Sequence, residues 1–313
     1  MRLRFPLSAA VAAGLLASAC APDSDTGPNP YVNLVGSSRY VSASRLATTA
    51  GDTLTSKLYA EATGSTKLKR LLITVGYSPR KNPITYPATG YNPNNFAEPD
   101  LVYLDSTLSE RDALAYQFTF NTRTTSGSEQ WNFAVFDTQQ HSSSRGFRLT
   151  LRNSDSALVY HRYTVHLQQA RNTTSRSCLA LPSGLALPGF TVRTNPAAQQ
   201  LVDLICVPTA TGKPSLATLA DKAFKRDSTK WLNPRITQLR RVPADQNTFS
   251  SAVTAQNFTD LYSQGETITN TGPLLKNQLF AFITADGKYG LLTVVEIRSL
   301  PVPTLDLQVR IAK

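Results

Sequence analysis

Apolar and polar residues alternate with a period of two through much of the first half of the chain. Leu54, Leu58, Ala60 and Ala62 share one phase, as do Leu114, Tyr116, Phe118 and Phe120. Trp131, Phe133 and Val135 make a third set, and Phe147, Leu149 and Leu151 a fourth. Successive side chains of a strand point to opposite faces, so alternation repeated in this way predicts antiparallel strands with one dry and one wet face. LKRLLITVGY (68–77) predicts a more fully buried strand, and DTQQHSSSRG (137–146) the connection between two strands. The architecture expected for residues 31–170 is an immunoglobulin-like β-sandwich, without the Cys…Trp…Cys signature of antibody domains.

The pattern changes near residue 168. SLATLADKAFKR (215–226) carries Leu216, Leu219, Ala220, Ala223 and Phe224 at helical spacing behind Ser215, a good N-cap residue. TAQNFTDLY (254–262) predicts a second short helix through Phe258, Leu261 and Tyr262. LFAFITADGKYGLLTVVEI (279–297) predicts a hairpin turning at Asp286-Gly287, and TLDLQVRI (304–311) a last strand. The overall fold class is therefore mostly β, with a second domain over 171–313 that is β-rich or α+β. The polar stretch QARNTTS (169–175) marks the expected boundary, with the two domains folding independently.

The N-terminus changes the picture of where the chain resides. Residues 1–19, MRLRFPLSAAVAAGLLASA, place Arg2 and Arg4 before an apolar run too short to span a membrane, the layout of a secretory signal. Ala17-Ser18-Ala19 suits ordinary signal cleavage. With Cys20 next, the same residues resemble a lipobox, although Ala17 stands where Leu is usual. Residues 20–30 continue as a Pro-, Gly- and Asp-rich tether that cannot bury enough surface to offset its ordering entropy. A tether directly after a cysteine is what a lipid anchor needs, so Cys20 is the expected lipid attachment site and an odd thiol on a secreted protein the alternative. In an oxidising compartment Cys178 and Cys206 then form an even pair, expected as a disulfide, with two buried free thiols as the other reading.

SEQWNFAVFDTQQHSSSRGFRLTL, the junction YTVHLQQ and the terminal LFAFITADGKYGLLTVVEI, following an export signal, resemble bacteroidete-type two-domain cell-surface lipoproteins. The resemblance implies an Ig-like first domain, an uncharacterised second one and an outer-membrane location facing the cell exterior. It supplies no catalytic residues. Members carry small residues and glycines where this chain has Cys178 to Gly189, so the cysteine pair departs from the pattern.

Chemistry is sparse. The formal net charge is +11, and the basic excess is larger in the second half: residues 31–170 hold 14 basic and 10 acidic side chains, residues 171–313 hold 16 and 9. HExxH, GxSxG, P-loop and CxxC motifs are all missing. His161 and His166 lie on one expected strand, but an odd spacing of five puts them on opposite faces. No catalysis, cofactor or metal is expected. Two segments remain as candidate binding surfaces. SPRKNPITYPATGYNPNNFAEPD (78–100) sets Tyr86, Tyr91 and Phe96 beside asparagines, a composition suited to stacking on sugar rings or gripping a peptide. Its aromatics otherwise fold back over one end of the sandwich. DKAFKRDSTKWLNPRITQLRR (221–241) gathers Lys225, Arg226, Arg240 and Arg241 around Trp231, suited to an anionic glycan rather than nucleic acid. The alternative there is a solvated face with Trp231 in the core. The expected function is a lipid-anchored surface module that captures a glycan, peptide or partner protein, and the alternative is a structural envelope spacer without a small ligand.

Overall fold

The computed structural model describes residues 28–47, 49–79, 99–154, 158–225, 231, 234–299 and 302–313. The chain is mostly β, as its alternation requires. The first eight strands are β1 (Tyr31–Leu34), β2 (Arg45–Leu46), β3 (Thr53–Glu61), β4 (Leu68–Pro79), β5 (Leu101–Arg111), β6 (Ala113–Asn121), β7 (Gly127–Asp137) and β8 (Ser142–Leu151). They form a three-stranded sheet, β1-β3-β6, and a five-stranded sheet, β2-β8-β7-β4-β5. In immunoglobulin lettering this is A-B-E against A′-G-F-C-C′, with β2 running parallel to β8 as an A′ strand does beside G. The four alternating sets identified in the sequence bury Leu54, Leu58, Phe118, Phe120, Trp131, Phe133, Phe147 and Leu149 in one core. Phe120 and Trp131 meet with ring centroids 4.1 Å apart at its centre. The strand β4 differs from expectation, because it too alternates and leaves one face half-exposed. Residues 138–141 turn tightly on the Asp137 carboxylate, which accepts from the backbone N–H of Gln139 and His141 at 2.8 and 2.9 Å.

The second half holds ten more strands in two sheets. One is four-stranded, with β10 (Arg176–Ala180), β11 (Leu185–Pro188), β12 (Leu204–Pro208) and β13 (Pro214–Thr218) in the order β11-β10-β12-β13. The other is six-stranded, with β9 (Tyr160–Gln168), β14 (Gln238–Val242), β15 (Glu266–Ile268), β16 (Leu279–Ile283), β17 (Tyr289–Arg298) and β18 (Thr304–Ala312) in the order β15-β14-β16-β17-β18-β9. The expected hairpin at Asp286-Gly287 joins β16 to β17, and Gly287 takes φ 77°, a conformation that L side chains rarely adopt. Two helices, α4 (Gln246–Ser251) and α5 (Ala255–Gln264), cover one face of the six-stranded sheet through Phe249, Phe258 and Tyr262. The helix α5 is the one expected from residues 254–262, opened by a capping box between Thr254 and Asn257.

Three expectations are corrected. The helix predicted over 215–226 is strand β13, buried throughout, followed by the single turn α3 (Lys222–Lys225). A short apolar run buried on both faces has no wet phase, so spacing alone cannot separate strand from helix. The domain boundary at 170 also moves. Strand β9 lies on the near side of it in sequence, yet pairs along its whole length with β18, from Tyr160 opposite Ala312 to Gln168 opposite Thr304. Nor are the two halves independent. Cys178, Ala180, Leu185, Leu187 and Ile205 pack into the sandwich core. Leu179, Leu181, Ala186, Leu204 and Cys206 face the other way and pack with Val165, Phe280, Phe282 and Leu307 of the six-stranded sheet. The four-stranded sheet is thus a shared middle layer.

Short connecting segments fasten the layers. Between β11 and β12, α1 (Gly189–Thr194) and α2 (Pro196–Gln199) lie against β5. Thr191 Oγ1 donates to the Tyr103 carbonyl at 2.6 Å, and Asn195 Nδ2 to the Val102 carbonyl at 2.9 Å. Thr124 donates its backbone N–H to the Ser183 carbonyl at 2.8 Å. Gly184 has φ 64°, and a Cβ there would stand 2.3 Å from Thr124 Oγ1, so glycine is required on both counts.

A single cooperative unit follows. Leu204→Ala removes contacts on the six-stranded side and Ile205→Ala on the sandwich side, and each is expected to cost about 2–4 kcal/mol. Both should lower one common calorimetric transition; two transitions, each sensitive to only one substitution, would contradict the shared layer.

Candidate functional site

The residues nominated by sequence fall in different places. Cys20, Tyr86, Tyr91, Phe96 and Arg226 lie outside the described residues. Lys225 closes α3. Trp231 is half-buried against the sandwich-side core and meets the Phe224 ring edge-on at 4.9 Å, so it serves packing. Arg240 and Arg241 are adjacent on β14 and point to opposite faces. The Arg240 guanidinium stacks 4.3 Å from the Tyr262 ring centroid and donates to the Tyr262, Ser263 and Gly265 carbonyls, where a cation complements the C-terminal end of α5. Arg241 Nη2 donates to the Thr271 carbonyl at 2.7 Å. Arg235 is held between Asp203 and Asp286, at 3.3 and 2.6 Å. Arg235, Arg240 and Arg241 do not form one surface; each of the three has a structural partner.

The cysteine expectation is overturned. Cys178 and Cys206 are buried free thiols. Cys178 stands opposite Ile205 in the β10–β12 ladder, so Cys206 is one position out of phase and its side chain leaves the other face of the sheet. One thiol enters the sandwich core and the other the six-stranded side. Burial pushes the pKa of each up to about 12, which keeps both protonated and unreactive at neutral pH.

Buried charge serves the joints between layers. The Asp203 carboxylate accepts from Leu181 N–H at 2.8 Å and Thr237 Oγ1 at 2.7 Å, and burial raises its pKa against the pull of Arg235. Glu129, in the sandwich, accepts from Arg123 N–H at 2.8 Å and Trp131 Nε1 at 3.0 Å, and burial raises its pKa likewise. His161 Nε2 lies 2.9 Å from Thr124 Oγ1, whereas His166 Nδ1 lies 2.8 Å from Asp306 Oδ1. The two rings occupy opposite faces, as their spacing requires. Among the described residues no three His, Cys, Asp or Glu side chains gather to hold a metal.

The surface that does converge lies on the solvent face of the three-stranded sheet. Tyr31 of β1 and Tyr59 of β3 are 52% and 36% exposed, with ring centroids 6.5 Å apart. Asn33 stands opposite Tyr59 on one side and the small Ala115 on the other. Tyr59 Oη donates to Glu61 Oε2 at 3.2 Å, and that carboxylate raises the phenol pKa. Next along the sheet, Tyr40 Oη donates to Gln117 Oε1 at 3.0 Å, with Lys57 Nζ 5.9 Å from the Tyr40 ring centroid. Three tyrosines with amide, amine and carboxylate groups between them make an amphipathic platform, its Tyr31 and Tyr59 rings inclined at 60° to each other, where an exposed ring can stack on an apolar ring face while the polar groups bond to hydroxyls at its edge. Sequence reading missed it, although a signal was present. In TLTSKLYAE, Tyr59 occupies the polar phase with Thr55 and Lys57, where an aromatic has no core to enter.

No protein-family model matches this chain, and no curated protein does. Among solved structures it is similar to a DUF4466 family protein from Parabacteroides merdae, at 11% identity and a TM-score of 0.39, over 91% of this chain and 99% of that one. A likeness at that score carries neither a fold assignment nor a function.

The thiols provide a direct check of the middle layer's register. Protein recovered from an oxidising compartment, unfolded in guanidinium without reductant and alkylated, should carry the label on both Cys178 and Cys206; folded protein should carry it on neither. A disulfide-linked peptide pair containing the two would contradict the register.

Proposed function

We propose that the protein is a lipid-anchored cell-surface binding module, held at the outer membrane through Cys20, that captures a glycan chain on the tyrosine platform of its sandwich. The observation that carries this reading is the exposed Tyr31–Tyr59 pair beside Asn33, Lys57 and Gln117. Exposed aromatic rings on a rigid sheet offer contact area with little rotamer entropy to lose, and the flanking side chains supply donors and acceptors for sugar hydroxyls. The platform opens the folded body only a few residues after the tether, so a ligand bound there lies near the anchoring surface. A spacer role draws on the shared middle layer, which holds the two halves as one body; the two readings separate on whether a ligand binds.

A glycan array probed with the anchor-free chain should return ligands built of pyranose units with open ring faces. Tyr31→Ala and Tyr59→Ala should each weaken the best ligand about fivefold or more without lowering the melting temperature. Cys20→Ala should release the protein from the membrane fraction. A chain that binds no glycan, or whose binding survives both tyrosine substitutions, removes the binding-module reading and leaves the spacer.

A further inference from the structure

Beside α4, where the six-stranded sheet meets the end of the sandwich, lies a cleft of about 300 Å³. Arg162 and Thr164 of β9, Gln308 and Arg310 of β18, Phe249 of α4 and Ser154 of the sandwich line it. The volume is at the small end of the range for ligand sites.

The β9–β18 ladder sets Arg162 directly opposite Arg310, and Thr164 opposite Gln308. Residues directly opposite in an antiparallel pair leave the sheet on the same face. Here it is the face that carries α4, because Tyr163 and Val309, next along each strand, pack into the core on the other side. The Arg162 carbonyl turns away from β18 and accepts from Asn153 Nδ2 at 2.9 Å. That makes 162 and 310 a non-hydrogen-bonded pair, the kind whose side chains stand closer. Like charges placed in this way repel. Burial holds the Arg310 pKa below its ordinary value, and the Arg162 charge pushes it in the same direction.

Arg310 is nevertheless held in place. Its guanidinium lies over the Phe249 and Tyr160 rings, 4.6 and 5.3 Å from their centroids. Its Nη1 donates to the Ser250 and Ala252 carbonyls at 3.3 and 2.6 Å, while Nε and Nη2 make no hydrogen bond among the described residues. A guanidinium anchored through one nitrogen has little rotamer freedom left to lose when a ligand takes the others. Arg162 is exposed, and five donors let one guanidinium serve several acceptors. None of the described residues lining the cleft is acidic. An anion across the two arginines relieves their repulsion and uses the fork geometry that suits a carboxylate. A bare anion would leave much of the space to water, whereas a hydroxyl-bearing ring fills it and meets the Thr164 and Ser154 hydroxyls and the Gln308 amide.

We infer that this cleft binds one acidic sugar unit, with the sugar carboxylate across Arg162 and Arg310 and its hydroxyls on Ser154, Thr164 and Gln308. The site is separate from the tyrosine platform and does not depend on it.

The test is calorimetric titration of the full-length protein with glucuronate, with glucose, acetate and inorganic phosphate as comparison ligands. Glucuronate should bind roughly tenfold or more tightly than any of the three. Arg162→Gln should weaken it roughly fivefold or more. Gln308→Glu sets a carboxylate beside the two guanidinium groups and should cost roughly tenfold or more, through like-charge repulsion of the ligand. The Gln308 side chain is exposed and makes no hydrogen bond among the described residues, so the melting temperature of that variant should not fall. It therefore decides the matter even where Arg162→Gln disturbs the fold. Lys213→Gln removes one charge from an exposed position elsewhere and should leave binding close to wild type. An equal loss in Lys213→Gln would reduce the effect to net charge and overturn the site, as would unchanged binding in Gln308→Glu or no binding of glucuronate at all. Glucose bound as tightly as glucuronate would overturn the role of the arginines, and acetate or phosphate bound as tightly would overturn the sugar assignment.

Discussion

Strands β10 to β13 send apolar side chains to both sides, so neither face of their sheet can be left in water. With 25 cal/mol or so at stake for each Å² of apolar surface, the layer needs a cover above and a cover below. The sandwich supplies one and the six-stranded sheet the other. The remaining architecture follows from that demand. The six-stranded sheet, dry on its inner side, also carries apolar side chains on its far side and draws α4 and α5 over them. The sandwich keeps its own two-sheet core and donates one end of it to the middle layer. The polar contacts at the joints, through Thr124, Thr191, Asn195 and Asp203, keep buried donors and acceptors paired where layers meet.

A body stacked in this way leaves the outer faces of the sandwich as its main wet sheet surfaces, and the two faces differ in chemistry. The three-stranded face is aromatic and mixed in charge, centred on Tyr31 and Tyr59. The five-stranded face carries Gln130, Arg148 and Thr150 in its polar phase. Both sets sit on paired strands rather than on connecting loops, and rigid elements hold side chains more closely to one geometry. Three arginines of residues 222–241 contrast with them. Arg235, Arg240 and Arg241 are used to close joints within the second half, which is how a basic stretch in a sequence becomes structural.

What the sequence made legible depends on whether a strand has a wet face. The strands β3, β6, β7 and β8 alternate because one side meets water, and their inward residues were readable one by one. Strand β13 has no wet face, so SLATL reads equally well as the start of a helix. Strand β9 was readable as a strand, but its partner β18 lies some 140 positions away in the chain and nothing local specifies it. The cysteines illustrate the limit of parity in sequence: an even count suggests a bridge, while a register offset of one residue sends the thiols to opposite faces. The tyrosine platform was legible as aromatics in a polar phase. The pairing of β2 with β8 was not, because β2 is two residues long and its parallel register sets Arg45 opposite Leu149 across about a hundred residues.

The central claim is that one dry sheet makes the two halves a single cooperative body. Native-state amide hydrogen exchange tests it most directly, because it reports the opening free energy of each strand separately. The shared layer predicts that amides at the centres of β7, β12 and β17 exchange with one common opening free energy, equal to that of global unfolding. Opening of β17 at a distinctly lower free energy while β7 stays protected, or the reverse, would show two units that merely touch and would contradict the account.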